Sequence, residues 1–218
     1  MKKKIKMKLF ADYICPWCYL GDAVVKNLKD DYDIEIEHIG FELHPDTRPE
    51  GNDLQAQFPG IDQMYDYLRI RGKKYGLSFA HLTRLPNSHK ALLVGEYAKE
   101  IGKGEEFMLA MWKAYFKEGK NIGDHKVIVD AARMVGITET EVDAALENEK
   151  YREKLDKNMD EGMRYGVNSV PTFIIENQVA VIGAQTEDVF RKAFEKVQPT
   201  DRESKTGCEG GACQSDQA

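Results

Sequence analysis

The most constraining feature of this chain is the segment Cys15-Pro16-Trp17-Cys18, set where one side-chain periodicity gives way to another. Before it, residues 4–11 (Lys-Ile-Lys-Met-Lys-Leu-Phe-Ala) alternate charged and apolar side chains and then become wholly apolar. That pattern predicts a strand with Ile5, Met7 and Leu9 on one face. After it, Leu20, Val24, Val25 and Leu28 recur at helical spacing, which predicts a helix from Pro16 to Lys29. Pro16 suits the first helical position, where its missing N–H costs nothing. Ile34-Glu35-Ile36-Glu37-His38-Ile39 then restores a period of two. The opening is therefore strand–helix–strand, the unit of a parallel α/β sheet.

Residues 44–60 are rich in Pro, Gly and Asp and read as a connection. Helical periodicity follows over 61–75, 88–101 and 105–117. The Met and aromatic stripe of the last, at 107–116, reads as packing core rather than as a cofactor box. Asp124 stands where it can cap a helix that ends near Gly136, and Thr138 with Glu141 forms a capping-box pattern. A further helix is expected from Glu147 to Tyr165. Strands return at Val170–Ile175 and Val179–Ile182, separated by Glu176-Asn177-Gln178, and Thr186 caps a closing helix that reaches Val197. The strands on either side of the helical block need each other to complete one sheet. The expected organisation is an N-terminal βαβ part (1–48), a helical insertion (49–166), a ββα part (167–197) and a flexible tail (198–218), with no internal repeat.

Composition narrows the function. The net charge is -6 and is spread along the chain without a sustained basic stripe, so nucleic-acid binding has little electrostatic support. The one basic cluster, Lys2-Lys3-Lys4 with Lys6 and Lys8 set among apolar residues, reads as a solvated strand start. No apolar run is long enough to cross a bilayer, which argues against a membrane partner. Asp12 interrupts any hydrophobic stretch after the N-terminal lysines, so no secretory signal is read and the expected compartment is the reducing cytoplasm. The four cysteines form two close pairs, Cys15/Cys18 and Cys208/Cys213. In such a compartment close pairs point to redox chemistry or metal binding rather than to structural disulfides. There is no NAD fingerprint and no P-loop, so no resident cofactor is expected.

A Cys-x-x-Cys that opens a helix directly after a strand has a physical rationale. Unpaired N–H groups and the helix dipole favour a thiolate at Cys15. Cys18, nearly one turn on, is expected to be less exposed and to resolve the mixed disulfide that Cys15 forms. The competing reading is half of a zinc site, but no second ligand pair stands at suitable spacing. Trp17 is expected to cover the pair and shape the substrate surface. Asp12 is a candidate proton acceptor for Cys18; the alternative is a strand-end carboxylate that binds local N–H groups. Cys208 and Cys213 are a candidate auxiliary redox pair, with a weak metal clip or an incidental pair as alternatives. The five histidines are scattered and read as surface or packing residues.

Cys15-Pro16-Trp17-Cys18 after a strand, together with Val170-Pro171-Thr172, resembles the thioredoxin superfamily, and the helical insertion resembles its DsbA branch. Cys-Pro-Trp-Cys-Tyr-Leu-Gly at 15–21, Phe41-Glu42-Leu43-His44-Pro45 and Gly183-Ala184-Gln185 are similar to the FrnE-like proteins. Those relate to the 2-hydroxychromene-2-carboxylate isomerases and kappa-class glutathione transferases. The resemblance spans residues 5–197. Asn87-Ser88 fits the family's Asn-Thr turn, whereas Leu92 stands where a His is common. The resemblance implies an α/β thioredoxin fold with a large helical insertion, and a thiol–disulfide oxidoreductase or isomerase acting on disulfide-containing proteins or small thiols. It also implies a cis Val170–Pro171 bond facing the cysteines, with the backbone of Val170 pairing with an extended substrate and the loop keeping metals from the thiols. The residues alone leave an ordinary trans proline at a strand edge open. Glutathione is a candidate co-substrate. Two other functions compete: a glutathione-dependent isomerase or transferase acting on a small aromatic or polyketide-like molecule, and a redox-sensing or metal-binding interaction protein. The first of these branches generally carries Ser at the position of Cys15.

Overall fold

The alternation at the N-terminus forms β1 (Lys4–Ala11), with Ile5, Met7 and Leu9 buried and Lys4 and Lys6 exposed. The structure, a computed structural model, describes residues 2–197. β1 runs parallel to β2 (Asp33–Gly40), with Ile5 beside Ile34 and Phe10 beside Ile39. The connection between them is α1 (Pro16–Asn27), extended by a single 3-10 turn at Leu28–Asp30. On its other side β1 pairs antiparallel with β5 (Thr172–Ile175), and β6 (Val179–Ile182) completes the order β2-β1-β5-β6. Central β1 is covered on both faces near its end. That accounts for the switch from alternation to an unbroken apolar run at Leu9-Phe10-Ala11.

The chain between β2 and β5 contributes β3 (Asn52–Asp53), α2 (Leu54–Gln57), α3 (Ile61–Lys73), β4 (Arg84–Leu85), α4 (His89–Glu100) and α5 (Gly104–Trp112). It continues with α6 (His125–Met134), α7 (Glu139–Glu147) and α8 (Glu149–Arg164), and α9 (Glu187–Lys196) follows β6. The expected α/β thioredoxin arrangement with a helical insertion is present. Several local expectations need correction. β3 and β4 pair Asn52 with Leu85 inside a stretch that reads as connection and helix, because two-residue strands are too short to show a period. The helix expected over 105–117 loosens into a π-helical turn at Lys113–Lys117, and Ala114, Tyr115 and Phe116 are all buried there. The helix expected from Glu147 to Tyr165 is interrupted at Asn148. That residue is extended and caps α8 by accepting from the Lys150 amide at 3.0 Å.

Caps divide the same way. Thr138 and Glu141 form the full capping box, with the Glu141 carboxylate accepting from the Thr138 amide at 2.8 Å. Asp124 and Thr186 sit at N-cap positions, but neither side chain caps its helix. Asp124 instead accepts from the Asn121 side chain at 2.9 Å. The strand expected from Val170 begins only at Thr172, since Pro171 has no N–H to donate to a ladder.

Helix α1 is held from two sides, and this fixes the position of the cysteines. On the outer side Tyr19 stacks on Phe116, with ring centroids 5.3 Å apart and planes 7° apart, and packs beside Trp112 and Phe79. On the sheet side Gly21 lets the helix approach the proline loop. A Cβ there would lie 3.1 Å from Phe173 and 3.2 Å from Pro171. Gly21→Val is therefore expected to destabilise the fold by roughly 1–3 kcal/mol through overpacking. Urea unfolding of the variant checks this, and Gly21→Ala is expected to cost less.

Candidate active site

Residue Cys15 occupies the N-cap position of α1 in an extended conformation, and Pro16 is the first helical residue. The Cys15 carbonyl accepts from the amides of Cys18 and Tyr19, at 3.0 and 3.3 Å, which turns the chain directly into the helix. The Cys15 Sγ therefore lies at the end of α1 where the helix dipole favours an anion. Cys15 is 6% exposed and Cys18 is fully buried beneath it. Both thiols are free and close enough to hydrogen-bond to each other.

The loop before β5 faces them. The Val170–Pro171 bond is cis, and the Cys15 thiol donates to the Val170 carbonyl at 3.5 Å. Residues from opposite ends of the sequence thus meet at one sulfur. Trp17 is half-buried and packs against Tyr67 of α3, with ring centroids 6.0 Å apart.

Asp12 lies behind the pair and is fully buried. Its carboxylate accepts from the Ile14 amide at 3.3 Å and from the Leu43 amide at 2.8 Å. The carboxylate thus binds local N–H groups, while the Asp12 backbone amide donates toward Cys18. Burial pushes its carboxyl up from the ordinary value of 3.8 to about 6, against the opposing pull of the amides and the Ser88 hydroxyl. Burial also pushes the Cys18 thiol well up, and contact with Cys15 adds to this.

A raised carboxyl means that folding favours the protonated form. The stability associated with Asp12 is then full below about pH 4 and is lost as pH rises through about 6. Relative to Asp12→Asn, wild-type stability is expected to fall by on the order of 3 kcal/mol over that interval. Urea unfolding of both proteins across the interval measures it. A difference that does not change with pH contradicts the assignment.

A cleft of about 280 Å³ opens beside Cys15, between the loop at Asn168–Val170 and helices α2 and α3. Leu43 and His44 belong to its wall, so the Phe41–Pro45 segment both anchors Asp12 and shapes the approach to Cys15. Leu54, Phe58, Met64, Tyr65 and Tyr115 line it as well, and none of these stands out in the sequence as a site residue. Locally they carry ordinary helical core spacing; only the docking of the helical block over α1 brings them to Cys15. Cys208 and Cys213 lie outside the described residues.

This fold is that of the DsbA-like thiol oxidoreductase superfamily. The chain belongs to the DSBA-like thioredoxin domain family, which matches residues 6–195. It is 30% identical over 197 residues to the uncharacterized protein YwbO of Bacillus subtilis (strain 168), covering 87% of this chain and 96% of that protein. Its fold is shared with a probable DsbA oxidoreductase from Streptomyces coelicolor, with a TM-score of 0.83 and 22% identity over 98% of this chain and 100% of that one. The cytosolic disulfide reductase DsbM from Pseudomonas aeruginosa, solved with GSH, gives a TM-score of 0.66 and 16% identity over 87% of this chain and 97% of that one. Among the described residues, no helix is long and apolar enough to cross a membrane.

Proposed function

We propose that the chain is a cytoplasmic dithiol oxidoreductase that exchanges disulfides with polypeptide or small-thiol substrates, with Cys15 as nucleophile and Cys18 as resolving cysteine. The observation that carries this reading is the contact of the two thiols at the start of α1, with the Cys15 sulfur against the carbonyl of Val170. In the reducing direction the Cys15 thiolate attacks one sulfur of a substrate disulfide, forms a mixed disulfide and expels the other sulfur as a thiolate. Cys18 then gives up its proton and attacks the Cys15 Sγ, expelling the second substrate thiolate. Two electrons pass to the substrate, and Cys15 and Cys18 end bonded to each other. The reverse sequence oxidises a substrate dithiol.

Burial makes the Cys18 thiol hard to ionise, so its proton needs a nearby acceptor. Asp12 takes that role in this reading. Its carboxyl titrates at about 6, which leaves it ionised and able to accept at neutral pH. Pro16 and Trp17 shape the approach to the sulfur, and Val170 and Pro171 offer backbone to an extended substrate segment. The cytoplasmic placement draws on the name of DsbM as a cytosolic reductase.

Dithiothreitol-driven reduction of insulin tests the reading. Catalytic amounts of the chain are expected to bring on insulin precipitation well before dithiothreitol alone does. Folded, fully reduced protein that leaves the time course unchanged contradicts it.

A further inference from the structure

The carboxyl that takes the Cys18 proton in the proposed exchange has no exposed surface. That proton must still reach water in every turnover. The amides of Ile14 and Leu43 hold Asp12 but offer no way out, since a backbone N–H donates without passing a proton on. Ser88 begins another path. It is buried at the N-cap position of α4, yet its hydroxyl does not cap the helix and faces the Asp12 carboxyl instead. It approaches without closing a full hydrogen bond. Ser88 Oγ, Thr47 Oγ1 and Glu42 Oε1 are all buried and find no such partner among the described residues. The three belong to one place. Glu42 directly precedes Leu43, whose amide holds Asp12, and its charge acts on Asp12. Its other oxygen pairs with Nδ1 of His89, the residue after Ser88, at 2.9 Å. The side-chain amide of Asn87, the residue before Ser88, donates to the Thr47 carbonyl at 2.7 Å. Buried oxygens without a protein partner are as a rule satisfied by ordered water, which needs several polar groups around it. Exposure rises along this line, from none at Asp12 to 10% for the Glu42 side chain and 35% for that of His89. Glu42 and His89 border a groove of about 400 Å³ that shares no lining residue with the cleft beside Cys15. Glu42 holds the His89 imidazole above its ordinary value of 6.5, and the other charges facing it, Arg152 and Asp156 of α8, are opposite in sign.

We propose that Glu42 and His89 are the proton relay between Asp12 and solvent, joined to Asp12 by ordered water held among Ser88, Thr47 and Glu42. The inference rests on the role of Asp12 in the exchange proposed above. In the reducing direction Cys18 gives its proton to Asp12 as its sulfur attacks the Cys15 Sγ. Asp12 passes the proton through water to Glu42, Glu42 passes it to His89, and His89 releases it to bulk water in the groove. When a substrate dithiol is oxidised, the same groups carry one proton inward. Each carrier ends the turnover as it began, so the relay sets the rate of the resolving step and not its equilibrium.

The test mixes reduced full-length Cys208→Ser/Cys213→Ser protein with one equivalent of the symmetric disulfide of thionitrobenzoate near neutral pH. Attack of the Cys15 thiolate releases one coloured thionitrobenzoate. Attack of Cys18 on the Cys15 Sγ releases the second and leaves the Cys15–Cys18 disulfide. Only the second release draws on the relay, so the first is an internal control for fold and nucleophile. His89→Ala is expected to leave the first phase unchanged and to slow the second at least about fivefold. Added imidazole, which fits the space left by the missing ring, is expected to restore the second phase while leaving the parent protein unaffected. Glu42→Gln is expected to slow the second phase as well, without relief by imidazole, because the break then lies deeper than His89. A merely structural role for His89 predicts no relief at all. A second phase at the parent rate in either variant, a slow His89→Ala phase that imidazole does not relieve, or equal acceleration of the parent overturns the relay alone. A parent protein that releases no thionitrobenzoate, or only one, overturns the exchange mechanism beneath it.

Discussion

Replacing Cys15 by serine is expected to abolish catalysed insulin reduction, a loss of at least about a thousandfold, while leaving the fold intact. In the proposed mechanism the Cys15 thiolate is both the nucleophile and one of the two electron-donating sulfurs, and a hydroxyl supplies neither function at neutral pH. Structure gives little reason for collateral damage. Cys15 is the N-cap residue of α1 and makes no side-chain cap, and serine is a good N-cap residue. The variant should therefore unfold in urea at a denaturant concentration no lower than wild type. Insulin reduction read beside urea unfolding separates the two effects. Retained turnover removes Cys15 from the chemistry, and lost turnover with lost stability leaves the fold as the cause.

Cys18→Ser is expected to fail differently. Its first covalent step survives, because Cys15, the α1 terminus and the Val170 carbonyl are untouched. Its second step does not, because no sulfur remains to attack the mixed disulfide. Turnover is expected to fall at least about a hundredfold while an enzyme–substrate adduct accumulates at Cys15. Non-reducing gels and intact mass spectrometry of the reaction mixture read the adduct directly. The substitution puts a hydroxyl in a fully buried site that faces Cys15 and the Asp12 amide, so the smaller side chain has partners for its polar atom. An adduct at equal yield in Cys15→Ser would reverse the two roles.

The parts of this molecule that were legible in advance are those where a local pattern has a local cause. Charged–apolar alternation ends at Phe10-Ala11 where β1 passes beneath the helical block, and Pro16 marks the first turn of α1. Thr138 and Glu141 announce a capping box through four residues of sequence. The simpler N-cap signal fails at Asp124, because Asn121 draws the carboxylate away, and nothing in the local sequence ranks the two partners. The candidate site shows the same division. Cys15 and Cys18 are adjacent on one helix and can be read together. The walls of the cleft come from α2, α3, the Leu43–His44 segment and Tyr115, and packing between distant residues, Tyr19 against Phe116, Trp112 and Phe79 and Trp17 against Tyr67, brings that block over α1. Asp12 lies between these cases. Its position three residues before Cys15 is visible, but its partner Leu43 arrives from beyond β2.

The central claim is that Cys15 and Cys18 form one two-electron redox pair. Equilibrating Cys208→Ser/Cys213→Ser protein in dithiothreitol and glutathione buffers that together cover the range of thioredoxin-fold dithiols, then alkylating and mapping the peptide that carries residues 15–18, tests it most directly. The account predicts one transition from a doubly alkylated peptide to an internally disulfide-bonded one, with a tenfold change in ratio for each step of about 30 mV. A peptide that stays doubly alkylated across the whole range, or that is alkylated once, would contradict it.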